Sequence, residues 1–137
     1  MVRTLTGNHS SIALVSAVGS PPHTYRIKYD VLSLRDAGDE PADTTDHLVL
    51  ITLGNDYPRA APMCQMMSEV FHPNIDTSTI CVGDHWTPGE KLSDLIVRIA
   101  EMLAYQSYNI RSPLNAKAAM WADLNPSRLP TDKRSFV

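Results

Sequence analysis

Between Thr24 and Leu103 the apolar residues change their repeat, and that change restricts the architecture of this 137-residue chain more than any other feature. From Thr24 to Leu32 (T-Y-R-I-K-Y-D-V-L) they alternate. Tyr25, Ile27, Tyr29 and Val31 fall on one face, with Arg26, Lys28 and Asp30 on the other, the pattern of a strand with one side buried. Farther on, Leu92, Leu95, Ile96, Ile99 and Leu103 recur three and four residues apart, with Asp94, Arg98 and Glu101 assigned to the opposite, solvent side. Asp94 in the first turn of that helix suits the positive end of its dipole. A chain that begins in strands and turns to helix afterwards is α+β: an antiparallel sheet with a helix packed on one face.

The remaining elements fit this scheme. Ile12–Val15 is a short apolar run, ending near Gly19 and the turn signal Ser20-Pro21-Pro22. Residues 35–46 are acidic and rich in turn formers, so they read as a solvated loop. His47–Leu53 is a second strand and Met63–Met67 a third, which makes an antiparallel meander. A second helix is expected over Asn115–Asp123 with Asn115 as N-cap, stopped by Asn125-Pro126 and Pro130. The core is placed at about residues 11–124 of a single domain, and 125–137 is expected to form a loosely ordered tail.

Composition excludes several classes of function. With 43% hydrophobic and 20% charged residues the chain is ordinary for a globular protein. A net charge of −3 provides no basic field for nucleic acid. No apolar run is long enough to span a bilayer, and Met1–His9 has no secretory h-region. Two cysteines, Cys64 and Cys81, are too few for a disulfide framework, so a reducing, cytoplasmic setting with both thiols free is expected.

The stretch F-H-P-N-I-D-T-S-T-I-C-V-G-D-H-W, Phe71–Trp86, is the long irregular connection between sheet and main helix, where function concentrates on such scaffolds. Taken alone, Cys81 reads as a small buried hydrophobe, the commoner place for a lone cysteine, rather than as a nucleophile. Its surroundings favour the nucleophile. Tyr57-Pro58, Pro62, Phe71-His72-Pro73-Asn74-Ile75, Ile80-Cys81, Trp86-x-Pro88 and Ser112-Pro113-Leu114 occur in the order found in ubiquitin-conjugating enzymes, and the chain resembles that family over roughly residues 24–122. It is most similar to compact prokaryotic members, which are encoded with a ubiquitin-like protein and its activating enzyme and are in several cases linked to defence against phage. Six residues separate Asn74 from Cys81, one fewer than is typical of eukaryotic relatives. The family's N-terminal amphipathic helix is not evident and its C-terminal helices are reduced.

The resemblance implies a UBC-like fold and a carrier enzyme. Such an enzyme takes the carboxyl terminus of a ubiquitin-like modifier from an activating enzyme as a thioester on Cys81. It then passes the acyl group to a target lysine, with or without a ligase. A thiol suits this task, being strongly nucleophilic even when little of it is ionised. Asn74 is implied to stabilise charge on the thioester carbonyl, or to brace the loop that carries Cys81. Ser112, just ahead of Pro-Leu, is implied to orient the attacking amine. Asp84, His85 and Asn109 are further candidates beside the thiol. His72 and Pro73 are implied to hold the turn, with Trp86 and Tyr108 as structural support of the site, and Tyr57-Pro58 is a candidate cis peptide.

Neither cofactor nor metal is expected: Cys64, His72, Cys81 and His85 offer ligand types, but without C-x-x-C or H-x₃-H spacing. Two other readings stay open. One is a non-catalytic module of the same fold that only presents a modifier. The other is a Cys–His hydrolase with His72 or His85 as base.

Overall fold

The computed structural model describes residues 11–76, 78–82 and 86–136. Six strands form one antiparallel sheet: β1 (Ile12–Gly19), β2 (Pro22–Asp36), β3 (Pro41–Thr52), β4 (Met63–Met66), β5 (Ile75–Asp76) and β6 (Thr79–Ile80), in the spatial order β1-β2-β3-β4-β6-β5. Two helices follow, α1 (Leu92–Leu103) and α2 (Ala116–Leu124), and a 3-10 turn at Pro126–Arg128. The α+β class expected from the change of repeat is the class observed. The expected reduction of the N-terminal helix lies outside the described residues.

The alternation in β2 does what its period requires. Ile27, Tyr29 and Val31 are fully buried beneath α1, and the Tyr29 hydroxyl donates to the Ile96 carbonyl at 2.8 Å. The α1 helix is enclosed on more than one side: eight of its twelve residues are buried, and Asp94 is its exposed position. Each such apolar side chain contributes about 1.5–3 kcal/mol on burial.

Residues 35–46 are not a solvated loop. The hairpin of β2 and β3 continues through Leu34↔Asp43 to Asp36↔Pro41, and the turn is confined to 37–40. A register shift between Asp30 and Ser33 is the cause. It changes the phase of the alternation, so Ser33 and Leu34 turn inward while their partners on β3, Thr44 and Asp43, are polar and only partly buried or exposed. Gly38 takes φ +100° in the tight turn, a value that glycine adopts without steric cost.

Leu34 then belongs to a second small core with Phe71, Tyr105 and Ala118, against which Trp121 packs edge-on to Phe71 at 6.3 Å. The Phe71 N–H donates to the Leu34 carbonyl at 2.7 Å, so the end of the hairpin anchors the start of the His72-Pro73-Asn74 turn. Helix α2 starts where its cap predicts, with Asn115 Oδ1 accepting from the Ala118 N–H at 3.1 Å.

Residues 131–136 are not loose. Phe136 is 1% exposed within the main core. The Asp132 N–H donates to the Ala104 carbonyl at 3.2 Å, Gln106 Nε2 donates to the carbonyls of Asp132 and Arg134, and Arg134 Nη2 donates to the Asp30 carbonyl at 2.9 Å. A charged tetrapeptide ahead of one aromatic residue carries no periodic signal, which is why the sequence reads as a tail.

Candidate active site

The turn at His72-Pro73-Asn74 is a hub from which four other segments are held. His72 is fully buried. Its Nδ1 accepts from the Asn74 N–H at 3.0 Å, so its Nε2 carries the proton and donates to the Met102 carbonyl at 2.7 Å. That carbonyl is among the last four of α1, which no residue within the helix can satisfy. Burial pushes the imidazole down to about 4, against a weaker opposing effect of the Met102 bond, so the ring is neutral at physiological pH.

The Pro73 carbonyl accepts from Leu114 N–H at 2.9 Å and Asn115 N–H at 3.1 Å, which ties the turn to the start of α2. The Asn74 carbonyl accepts from the Cys81 N–H at 3.0 Å, fixing the backbone of the cysteine. The Asn74 carboxamide makes a two-point clamp on the backbone of Asn109: Oδ1 accepts from the Asn109 N–H and Nδ2 donates to the Asn109 carbonyl, both at 2.8 Å. One Nδ2 hydrogen is thereby committed and the other points elsewhere.

Tyr105 completes the hub. It takes φ +57°, an uncommon conformation for a residue with a Cβ, directly after the end of α1. The position is over-determined by its side chain, whose hydroxyl donates to the Phe71 carbonyl at 2.5 Å while its ring lies 4.7 Å from that of His72. Burial pushes the phenol well up, so it stays protonated as the donor.

These bonds place Cys81 between two grooves. On one side is a cleft of about 290 Å³ lined by Asn74, Cys81, Tyr108, Asn109, Ser112 and Arg98 among others. On the other is an apolar groove of about 320 Å³ whose walls include Pro62, Met63, Ile80, Val82 and Leu114, again with Cys81. Cys81 is partly exposed, whereas Cys64 is 2% exposed and burial pushes its thiol up to about 12.

The structure therefore brings together Cys81, Asn74, Ser112, Asn109 and Tyr108. Asn109 enters through its backbone, because its side-chain Oδ1 turns back to accept from the Arg111 N–H at 2.7 Å. Tyr108 stands edge-on to Tyr105 at 5.4 Å. Trp86 lies farther off, donating from Nε1 to the Pro58 carbonyl at 2.7 Å with its ring 5.8 Å from Tyr57, and the Tyr57–Pro58 peptide is cis. Asp84 and His85 lie outside the described residues. Among those described, no three His, Cys, Asp or Glu side chains are grouped as a metal would require.

Residues 44–134 match the family model described as "Ubiquitin-conjugating enzyme". The chain belongs to the ubiquitin-conjugating enzyme family. It is 24% identical over 135 residues to ubiquitin-conjugating enzyme E2 13 of Saccharomyces cerevisiae, covering 85% of this chain and 87% of that protein. To ubiquitin-conjugating enzyme E2 2 of Candida albicans it is 29% identical over 85 residues, 59% of this chain and 46% of the relative. A solved structure from Trypanosoma cruzi, titled as a ubiquitin conjugating enzyme, superposes with a TM-score of 0.65 at 21% identity, covering 90% of this chain and 83% of the other.

Sequence reasoning missed three lining residues of this family member's cleft, Arg98, Met102 and Ser107. Arg98, assigned to the solvent side of α1, is turned into the cleft wall with its side chain 22% exposed. The signal was present in its spacing. Arg98 lies three residues after Leu95 and four before Met102, both buried, which puts it on the inward ridge of the helix.

Proposed function

We propose that the chain is a carrier that holds a ubiquitin-like protein as a thioester on Cys81 and delivers it to an amine. One observation supports this above all: a partly exposed thiol with an anchored backbone, standing where an apolar groove meets a polar cleft. A carrier needs both, one approach for the acyl chain and another for the amine. In the loading step the Cys81 thiolate attacks the thioester on an activating enzyme, the new C–S bond forms, the old C–S bond breaks and the donor sulfur leaves as a thiolate. In the discharge step an amine attacks the carbonyl, the C–N bond forms, the Cys81 thiolate leaves and the amine gives up a proton. No nucleotide is needed at this site, since the activating enzyme spends the ATP.

Asn74 braces the 107–112 segment through Asn109 and directs its remaining Nδ2 hydrogen to the oxyanion. The Ser112 hydroxyl in the cleft orients the amine. A hydrolase with His72 as base is disfavoured because both ring nitrogens of His72 are engaged and its protonated form is suppressed; His85, the other base considered, lies outside the described residues. The binding-module reading is disfavoured by the open position of the thiol.

The test is to combine the chain with activating enzyme, modifier and ATP and resolve the products on non-reducing gels. A thiol-sensitive adduct that disappears in Cys81→Ala and becomes thiol-resistant in Cys81→Ser is the expected result. Failure to load from a charged cognate activating enzyme would leave the presenting module as the better reading. Genes for the modifier and activating enzyme are expected beside this one, in keeping with the prokaryotic, antiphage setting that the resemblance implies.

A further inference from the structure

Arg98 is a cation on a helix that is otherwise almost wholly enclosed. Its guanidinium spans two partners from different segments. Nη1 donates to Glu90 Oε1 at 3.3 Å, and Nη2 donates to the Val82 carbonyl at 3.3 Å. Val82 directly follows Cys81, and Glu90 lies just ahead of α1, where its N–H donates to the Thr87 carbonyl at 3.0 Å. The side chains of the pair are 22% and 13% exposed, so both charges are largely removed from water.

Taking such charges out of water costs several kcal/mol per ion, and replacing both members of such a pair by apolar side chains of similar volume is often neutral or stabilising. Fold stability is thus a weak reason for arginine at this position. Geometry is a better one. The planar fork presents its donors at fixed angles, so a guanidinium held by Glu90 also fixes the Val82 carbonyl, one peptide from the nucleophile. Arg98 also lines the cleft that Cys81 lines.

We propose that Arg98, clamped by Glu90, is a positioning residue that sets where the Cys81 sulfur stands in the cleft and thereby the rate of acyl transfer. This rests on the carrier reading of Cys81. Displacement of a reacting atom by about 1 Å can cost on the order of a hundredfold in rate.

Three variants test it: Arg98→Met, which keeps the volume, Arg98→Lys, which keeps the charge without the fork, and Glu90→Gln, which loosens the clamp. Each is followed by thermal melting, by alkylation of Cys81 with iodoacetamide read by peptide mass spectrometry, and by single-turnover discharge to a lysine acceptor. Arg98→Met leaves the Glu90 carboxylate without its partner, so it is expected to melt below the wild-type temperature, and its folded fraction is expected to alkylate at a rate changed at least threefold. Its discharge should slow about tenfold to a hundredfold in kcat, with the acceptor KM unchanged. Lysine should rescue in part, and Glu90→Gln should move both rates in the same direction by less. Wild-type alkylation and discharge in Arg98→Met would overturn the proposal. So would full rescue by lysine, or slowing that tracks the loss of folded protein. Should Arg98→Met not fold, Glu90→Gln decides by the same criteria. Alkylation needs no modifier, so a wild-type chain that never loads would sink the carrier reading while leaving this proposal still decidable.

Discussion

At the residue scale, the hub owes its strength to residues that bond through both backbone and side chain. Asn74 gives its backbone carbonyl to Cys81 and its carboxamide to Asn109, so Asn74→Ala removes both contacts to Asn109 at once. Single-turnover discharge is expected to fall about 10²–10³-fold. Asn74→Asp keeps an acceptor for the Asn109 N–H but sets a carboxylate against the Asn109 carbonyl, and it should discharge about as poorly. A near-normal rate in Asn74→Asp would show that donation by Nδ2 is dispensable. His72 makes a separate, pH-dependent contribution. Its folded value of about 4 lies below the unfolded value of about 6.5, so the neutral form favours the fold. The stabilisation is complete above pH ~6.5 and is lost as pH falls toward 4, about 3 kcal/mol in all. His47, also depressed by burial, acts in the same direction. Denaturant midpoints measured between pH 7 and 4 should fall, and fall less steeply in His72→Gln once its own lower baseline is subtracted. The residues of this hub were legible because they are contiguous in His-Pro-Asn and near Cys81. Their partners Met102 and Arg98 were not, because the chain brings them in from more than fifteen residues away and no local pattern marks the meeting, whereas Asn109 was named only through the resemblance.

At the element scale, what the sequence conveyed depended on whether one face of an element was clearly apolar. Strand β2 up to Val31 and helix α1 both met that condition and were read correctly. The far half of the β2–β3 hairpin did not, because the shift between Asp30 and Ser33 breaks the alternation and leaves polar residues along both strands. The segment ending at Phe136 failed for another reason: one buried aromatic residue has no period. Its role is testable directly. Phe136→Ala is expected to destabilise by about 3–5 kcal/mol, the cost of removing a buried aromatic side chain, as measured by urea denaturation. Lys133→Ala, on an exposed position of the same segment, should change stability by less than about 0.5 kcal/mol. Equal, small effects from the two would mean that Phe136 leaves the core in solution.

At the scale of the whole molecule, the sheet and α1 divide the two thiols into different environments. Cys64 lies between β3 and β6 in the sealed interior, and Cys81 stands at the edge where the packed layers give way to the grooves. Titration with a chromogenic disulfide reagent is expected to detect one reactive thiol per native chain and two in denaturant. Cys81→Ala should leave none accessible in the native state. Two reactive thiols without denaturant would contradict the enclosed position of Cys64. The same scale exposes a link between the end of the chain and the cleft. Gln106 fastens the carbonyls of Asp132 and Arg134, and the next residues, Ser107 to Asn109, form the cleft wall. A purification handle fused behind Phe136 would therefore load the latch that steadies this wall.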